Sequence, residues 1–332
     1  MKLRKVISFA LPSCVTIALL TGCGASQPPI GATGTMPQSR TIATQAARRR
    51  SWMLPEAKND DLLYVSRGAA GEVQVYTYPK GAVVGTLTGL AEPEGLCVDQ
   101  SGDIFVVTSE QIVVYAHGGT TPIKTLDDTG NAPHGCAIDP TTGNLAVSGG
   151  LYQNTEANVA IYANGSGSPT VYKDGSVSEF VYCTYDNEGN LFTNGGPITE
   201  LPSGSSSFIG VTVNQRLNPG YPGLQWDGRY VAIQNPSTSK RGPTTILQVS
   251  ISQSTGTIVN SISLSSRKHK NNYHNAQFWI QGASIVNAEA QNGNVGLWHY
   301  PTGKEAYKTV KVQPSLGTLD GLAVSPTSHD RQ

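Results

Sequence analysis

Charge is what this sequence has least of. Only 14% of its 332 residues are Asp, Glu, Lys or Arg, and 23 basic residues balance 23 acidic ones, for zero formal net charge and a pI near 7.0. Nucleic-acid affinity rests on a net basic surface, so a polyanion partner is excluded. Cysteine is scarce, at five residues, with no Cys-x-x-Cys and no His/Cys cluster of zinc-ligand spacing. A Gly-x-Ser-x-Gly elbow, a P-loop and a His-Glu-x-x-His motif are all missing, which removes the commoner hydrolase and nucleotide chemistries. What is abundant is Gly (37) and Pro (20). That composition opposes a helical bundle or coiled coil and favours a turn-rich, all-β chain.

The one long apolar run is at the N-terminus. Lys2, Arg4 and Lys5 precede Val6 to Leu20, a stretch interrupted by Pro12 and too short to span a bilayer comfortably. It reads as a secretory signal over residues 1–22. Leu20-Thr21-Gly22-Cys23 resembles the bacterial lipobox, which implies lipidation of Cys23 and a tether to the membrane. Gly24 lacks the Asp that favours inner-membrane retention, so the resemblance implies a cell-envelope protein addressed to the outer membrane. Residues 23–60 are polar and aperiodic, the composition of a flexible linker. Arg48-Arg49-Arg50 within them is either a contact for anionic head groups or a solvated charge run.

From residue 61 the chain repeats. A short strand ends in Asp and a Gly turn at GLCVDQSG (95–102), GCAIDPTTG (135–143), YCTYDNEG (182–189) and GLQWDG (223–228). A second strand follows each turn, then a third with an aromatic near its end, as in VQVYTYP (73–79) and VAIYANG (159–165). The turn glycines Gly102, Gly143, Gly189, Gly228 and a weaker Gly282 are spaced by 41, 46, 39 and 54 residues. One four-stranded blade has that length, and blades that cannot bury both faces alone stack around an axis. Six second strands can be counted: LLYVS, DIFVVTS, NLAVSGG, NLFTNGG, RYVAIQN and ASIVNAE. The expected fold is an all-β, six-bladed β-propeller over residues 61–328 with four strands per blade and a tail at 329–332. GLAVS (321–325) is a first strand without successors and LLYVS lacks a first strand, so the C-terminal strand should close the ring on the N-terminal blade.

The pattern P-x-G-φ-x-φ-D (φ, apolar), turn Gly, strand, aromatic-ended strand resembles NHL-repeat and gluconolactonase-like propellers, and bacterial lipoproteins of the same layout. This resemblance is specific for fold and weak for function.

Cys14 leaves with the signal and Cys23 is acylated, so Cys97, Cys136 and Cys183 remain. Cys136 and Cys183 lie three residues before their Asp and Cys97 lies two before. That spacing points Cys97 to the opposite face and leaves Cys136–Cys183 as the conceivable bridge in an oxidising envelope. Asp99, Asp139, Asp186 and Asp227 recur before the turn in every copy, which is the mark of turn chemistry rather than of a site.

The residue five before the repeated Asp should face the mouth of the central channel. Reading it round gives Glu94, His134, Val181, Pro222, about Ala276 beside Asn275, and Asp320. Glu94, His134 and Asp320 fall on consecutive blades, and the loop 265–275 should add Arg267, Lys268, Lys270 and His274 to the same face. Arg67 and the loops at 148–158 and 235–244 should also lie there. Two carboxylates and an imidazole could hold a divalent cation (Ca, Mg, Mn or Zn) or serve as acid and base, or the polar mouth could simply be solvated. Gluconolactonase-like enzymes, as the resemblance implies, bind a metal with Glu, Asn and Asp; Glu94 and Asp320 match loosely, whereas Val181 and Pro222 cannot ligate. The first reading is therefore a membrane-anchored binding or scaffold module for a protein, peptide or glycan. The alternative is a metal-dependent lactonase- or lyase-type enzyme using Glu94, His134 and Asp320, and a purely structural role also remains open.

Overall fold

The computed structural model describes residues 50–150, 156–218, 220, 223–237, 242–265, 277–289, 294–312 and 319–327. β1 (Trp52–Met53) and a 3-10 turn over Pro55–Asn59 lead into β2 (Leu62–Arg67), β3 (Glu72–Thr77) and β4 (Val83–Thr88). These strands form a five-stranded sheet of order β1-β4-β3-β2 with β25 (Leu322–Ser325) on its far edge. The register runs from Leu62 opposite Ser325 to Val65 opposite Leu322. The C-terminal strand thus occupies the first-strand position beside β2. The polar composition before residue 61 suggested a linker, but β1 pairs with β4 and Ala57 is fully buried. The packed structure therefore starts earlier than composition alone indicated.

Antiparallel meanders follow. β5 (Leu96–Val98), β6 (Ile104–Val107), β7 (Gln111–Tyr115) and β8 (Pro122–Asp127) make one; β9 (Pro133–Ile138), β10 (Leu145–Gly149), β11 (Ala157–Tyr162) and β12 (Thr170–Asp174) make the next. β13 (Tyr182–Tyr185), β14 (Leu191–Asn194), β15 (Ile198–Leu201) and β16 (Ile209–Val213) repeat the layout, as do β17 (Leu224–Trp226), β18 (Val231–Asn235), β19 (Thr244–Ser252) and β20 (Thr255–Ser265), and then β21 (Phe278–Gln281), β22 (Ser284–Glu289), β23 (Asn294–His299) and β24 (Gly303–Lys311). Two short parallel pairings, β16 with β20 and β20 with β24, join these last three into one twelve-stranded sheet. Among the described residues no sheet closes on itself by hydrogen bonds, and no helix is long and apolar enough to cross a membrane.

Neighbouring meanders pack face to face, because each strand carries apolar residues on both faces. Leu62, Tyr64, Val73 and Val75 meet Leu96, Ile104 and Val106 in one cluster. Cys97, Phe105 and Val114 meet Cys136, Leu145 and Val147 in the next. The first strands lie side by side: β5 beside β9, β9 beside β13, β13 beside β17, β17 beside β21, and β25 between β21 and β5. Glycine permits this approach. A Cβ on Gly95 would stand 2.6 Å from the His134 carbonyl oxygen, and one on Gly321 only 2.3 Å from that of Glu94. The repeated turn glycines have φ between +53° and +96°, the left-handed region that disfavours other residues.

The disulfide corrects the expectation from spacing. Cys97 is bonded to Cys136, with Cα atoms 5.7 Å apart, and Cys183 is a buried free thiol. Residues at the same repeat position look in the same rotational sense, each toward the preceding meander, so Cys136 and Cys183 never face each other. Cys97, offset by one position, looks forward and meets Cys136.

Candidate functional site at the mouth of the first strands

The repeated aspartates are turn residues, as their recurrence suggested. Asp99 Oδ1 accepts the Asp103 N–H at 2.9 Å, Asp139 Oδ1 the Thr141 N–H at 2.8 Å, and Asp186 Oδ1 those of Glu188 and Asn190 at 2.8 and 2.9 Å. Asp227 Oδ1 takes the N–H groups of Arg229 and Tyr230, while Oδ2 accepts the Tyr300 hydroxyl and the Gln248 amide. Burial opposes ionisation of Asp139 and Asp227, but these donors outweigh it and hold both carboxyls below their usual range.

The opposite end of the first strands is different. Glu94 begins the approach to β5 and His134 lies within β9, and the Gly95 N–H donates to the His134 carbonyl at 2.8 Å, locking the two strands at this point. Glu94 Oε2 and His134 Nδ1 are 2.6 Å apart, with side-chain exposures of 38% and 24%. Burial pulls the imidazole pKa down, yet the hydrogen bond and charge of Glu94, the charge of Glu179 and the Gly150 backbone raise it overall. The result is a charge-assisted pair that solvent still reaches.

Asp320 is engaged by other groups. Its Oδ2 accepts the Gly68 N–H at 2.6 Å and its carbonyl accepts the Tyr182 hydroxyl at 3.3 Å. Arg67, expected on the rim, is buried at 2% exposure and paired with Glu72 at 2.7 Å. It contributes no open positive charge. His274, with Arg267, Lys268 and Lys270, lies outside the described residues, as does Cys23. No group of three or more His, Cys, Asp or Glu among the described residues is placed to hold a metal ion. The Glu94, His134 and Asp320 of the expected metal site are thus seen here with Glu94 paired to His134 and Asp320 bonded by the Gly68 N–H.

Three residues of the mouth escaped the sequence reading. Glu179 is 7% exposed and bridges to Gly150 through the backbone. Tyr182 and Gln277 occupy the position that is glycine at 95, 135, 223 and 321. Where four copies have glycine, these two carry long polar side chains. Gln277 Oε1 accepts the Leu96 N–H at 2.9 Å and its amide donates to the Leu96 carbonyl at 2.6 Å, while the Tyr182 hydroxyl reaches Asp320. Both tie distant first-strand segments to one another by hydrogen bonds. Their departure from glycine was the signal that could have revealed them.

No protein-family model and no curated protein matches the chain. Solved structures do. A chain of the nidogen/laminin complex superposes with a TM-score of 0.60 at 13% identity, covering 80% of this chain and 98% of that one. A protein of unknown function from Bacteroides caccae gives 0.60 at 11% identity, covering 80% and 99%. A functionally unknown protein from Desulfotomaculum acetoxidans gives 0.51 at 12%, covering 84% and 89%. At such identities the likeness carries the fold alone, and it defines the class: an all-β protein of the β-propeller type.

Proposed function

We propose that this chain is a lipid-anchored protein of the bacterial cell envelope whose propeller is a binding module, with the Glu94–His134 mouth as its contact site for a protein, peptide or glycan. The propeller is read as six-bladed, of NHL-repeat or gluconolactonase-like type, and closed by β25. The succession of first strands from β5 through β21 to β25, and the pairing of β25 with β2, support that reading. The signal, the lipobox and Cys23 support the anchor, with the outer membrane as its address, and the Cys97–Cys136 bond agrees with an oxidising compartment.

The observation that carries the binding reading is the contrast in hydrogen bonding along the first strands. The turn-end carboxylates accept backbone N–H groups of their own turns, whereas Glu94 and His134 bond to each other and solvent reaches both. With Glu179 and Asp320 nearby, the mouth is rich in carboxylate and suits a ligand bearing an amine or several hydroxyls. The alternative, a metal-dependent lactonase or lyase, requires Asp320 to leave Gly68 and join Glu94 and His134, so it stands second.

Two measurements test this on the full chain. Mass spectrometry of the N-terminal peptide should find an acylated Cys23, and Cys23→Ser should release the protein from membranes. In-cell crosslinking from the mouth should give defined adducts that Glu94→Gln and His134→Ala abolish without changing the unfolding midpoint; unchanged adducts in both variants would reject the mouth. A metal that raises stability in wild type but not in Asp320→Ala, by about 2.7 kcal/mol at one hundred times its Kd, would promote the enzyme reading.

A further inference from the structure

A second cleft lies at the other end of the strands, between the β13–β16 and β17–β20 meanders. Its volume is about 610 Å³, within the range of small-ligand sites, and it is bordered by the Asp186–Asn190 turn and the tip joining β19 to β20. Trp226 stands in its wall, half-buried, with its orientation fixed twice. The indole N–H donates to Asn187 Oδ1 at 3.0 Å and the backbone N–H to Thr184 Oγ1 at 2.8 Å. Glu200, on β15 opposite Phe192, is half-buried in the same cleft and accepts no hydrogen bond from any described residue. Burial and the charge of Asp186 hold its carboxyl above the usual range.

The remaining chemistry decides the ligand class. Asp186 is saturated by its own turn and Glu188 is exposed to solvent at the rim, so Glu200 is the half-buried acceptor left over within the wall. Arg229, whose guanidinium lies 5.1 Å from the Tyr230 ring centroid, opposes entry of a cationic chain. Neutral groups supply the rest: the hydroxyls of Ser250 and Ser252 and the amides of Asn187 and Gln253. An aromatic wall, a half-buried carboxylate without a partner, and a rim of hydroxyls and amides with a solvent-screened Glu188 match an uncharged polyhydroxyl molecule better than a peptide or an ion.

We propose that this cleft binds a short oligosaccharide of uncharged pyranose units, one ring against Trp226 and its hydroxyls bonded to Glu200 and the rim amides. The proposal does not depend on the mouth, which lies at the opposite ends of the first strands.

The test is titration of the full-length protein, in a detergent without a sugar headgroup, with tri-N-acetylglucosamine, cellotriose and maltotriose. Binding is followed by calorimetry and tryptophan fluorescence. At least one trisaccharide should bind with a Kd below about 1 mM. Glu200→Gln should weaken it at least about fivefold, the loss of one charge-assisted hydrogen bond, and Ser252→Trp, at an exposed rim position, should block it. Trp226→Ala should abolish it, but because that residue also packs internally, the two rim and wall variants carry the decision. Tyr307→Ala, an exposed residue of β24 that does not line the cleft, should bind as wild type. Failure of all three sugars at 10 mM overturns the proposal, as does binding that survives both Glu200→Gln and Ser252→Trp. Tetralysine binding that competes at Trp226 assigns the cleft to a cationic chain and overturns it equally.

Discussion

The two ends of the first strands use the same residue types to opposite effect. At the turn end, each carboxylate recurs in copy after copy and is consumed by the backbone N–H groups two to four residues on. At the mouth end, Glu94, His134 and Asp320 appear once each, and Glu94 and His134 keep solvent contact. Repetition marks what every blade needs in order to fold; a polar residue found in one copy is released from that duty. The difference also orders expectations about mutation, since changes at the turn end or along the strands should cost stability and changes at the mouth should not.

The hardest way to break this contrast is to remove the strand shared by the two chain ends. Deleting residues 319–328 takes out Leu322, Ala323 and Val324, all fully buried, and uncovers β2. At about 1.5–3 kcal/mol for each larger aliphatic side chain, plus the lost ladder, the cost rivals the whole stability of a typical domain. The truncated chain should show no cooperative thermal transition. If it unfolds cooperatively near the wild-type midpoint, β25 does not hold the fold together.

Next in size is the disulfide. It closes a loop with a sequence separation of 39 residues, for which the chain-entropy relation gives about 4 kcal/mol. Cys97→Ser with Cys136→Ser should lower stability by roughly that amount in urea unfolding, whereas Cys183→Ala should not mimic it. Burial pushes the Cys183 thiol up to about 12, so it should resist alkylation until the protein unfolds.

A single turn comes third. Asp227→Ala removes four accepted hydrogen bonds, two of them from side chains of other strands, and should cost about 2 kcal/mol or more. Because Asp139 and Asp227 have folded pKa values below their unfolded ones, their contribution is present above about pH 4 and is lost as pH falls through the folded values. Stability should therefore drop on the acid side, and less steeply in Asp227→Asn.

The smallest effect belongs to the mouth and has the opposite sign. The folded pKa of His134 is raised, so its contribution is complete below about pH 6.5 and is lost as pH rises through the folded value. Partial exposure limits it to under about 1 kcal/mol. NMR titration should place His134 above an unperturbed imidazole, and Glu94→Gln should bring it down. A His134 that titrates identically in both proteins would dissolve the pairing, and with it the contrast.

Much of this was legible because repeats expose their own logic. The strand triplets, the turn Asp–Gly pairs and the orphan strand at 321–325 all follow from period and alternation, and each has its counterpart in the pairing found. What stayed hidden depends on how one repeat faces another. Equal spacing made Cys136 and Cys183 look like partners, although equivalent positions turn away in step and the offset Cys97 is the one that meets Cys136. The Gly68–Asp320 hydrogen bond joins residues 252 apart in sequence, and nothing local announces it. Trp52 and Met53 were lost in polar surroundings, since two paired residues give no period.

That short first strand also sets a path for force. A pull on the chain ahead of residue 50, such as a lipid tether would exert, reaches the domain through the pairs Trp52–Thr86 and Met53–Gly85. Behind them sits Ala57 in the core, and only then β2, gripped on one side by β3 and on the other by β25. The two-residue strand, paired only to β4, would peel first under such a pull and lengthen the leash by several residues while the remaining sheet stays paired. It would act as a mechanical fuse between any tether and the fold.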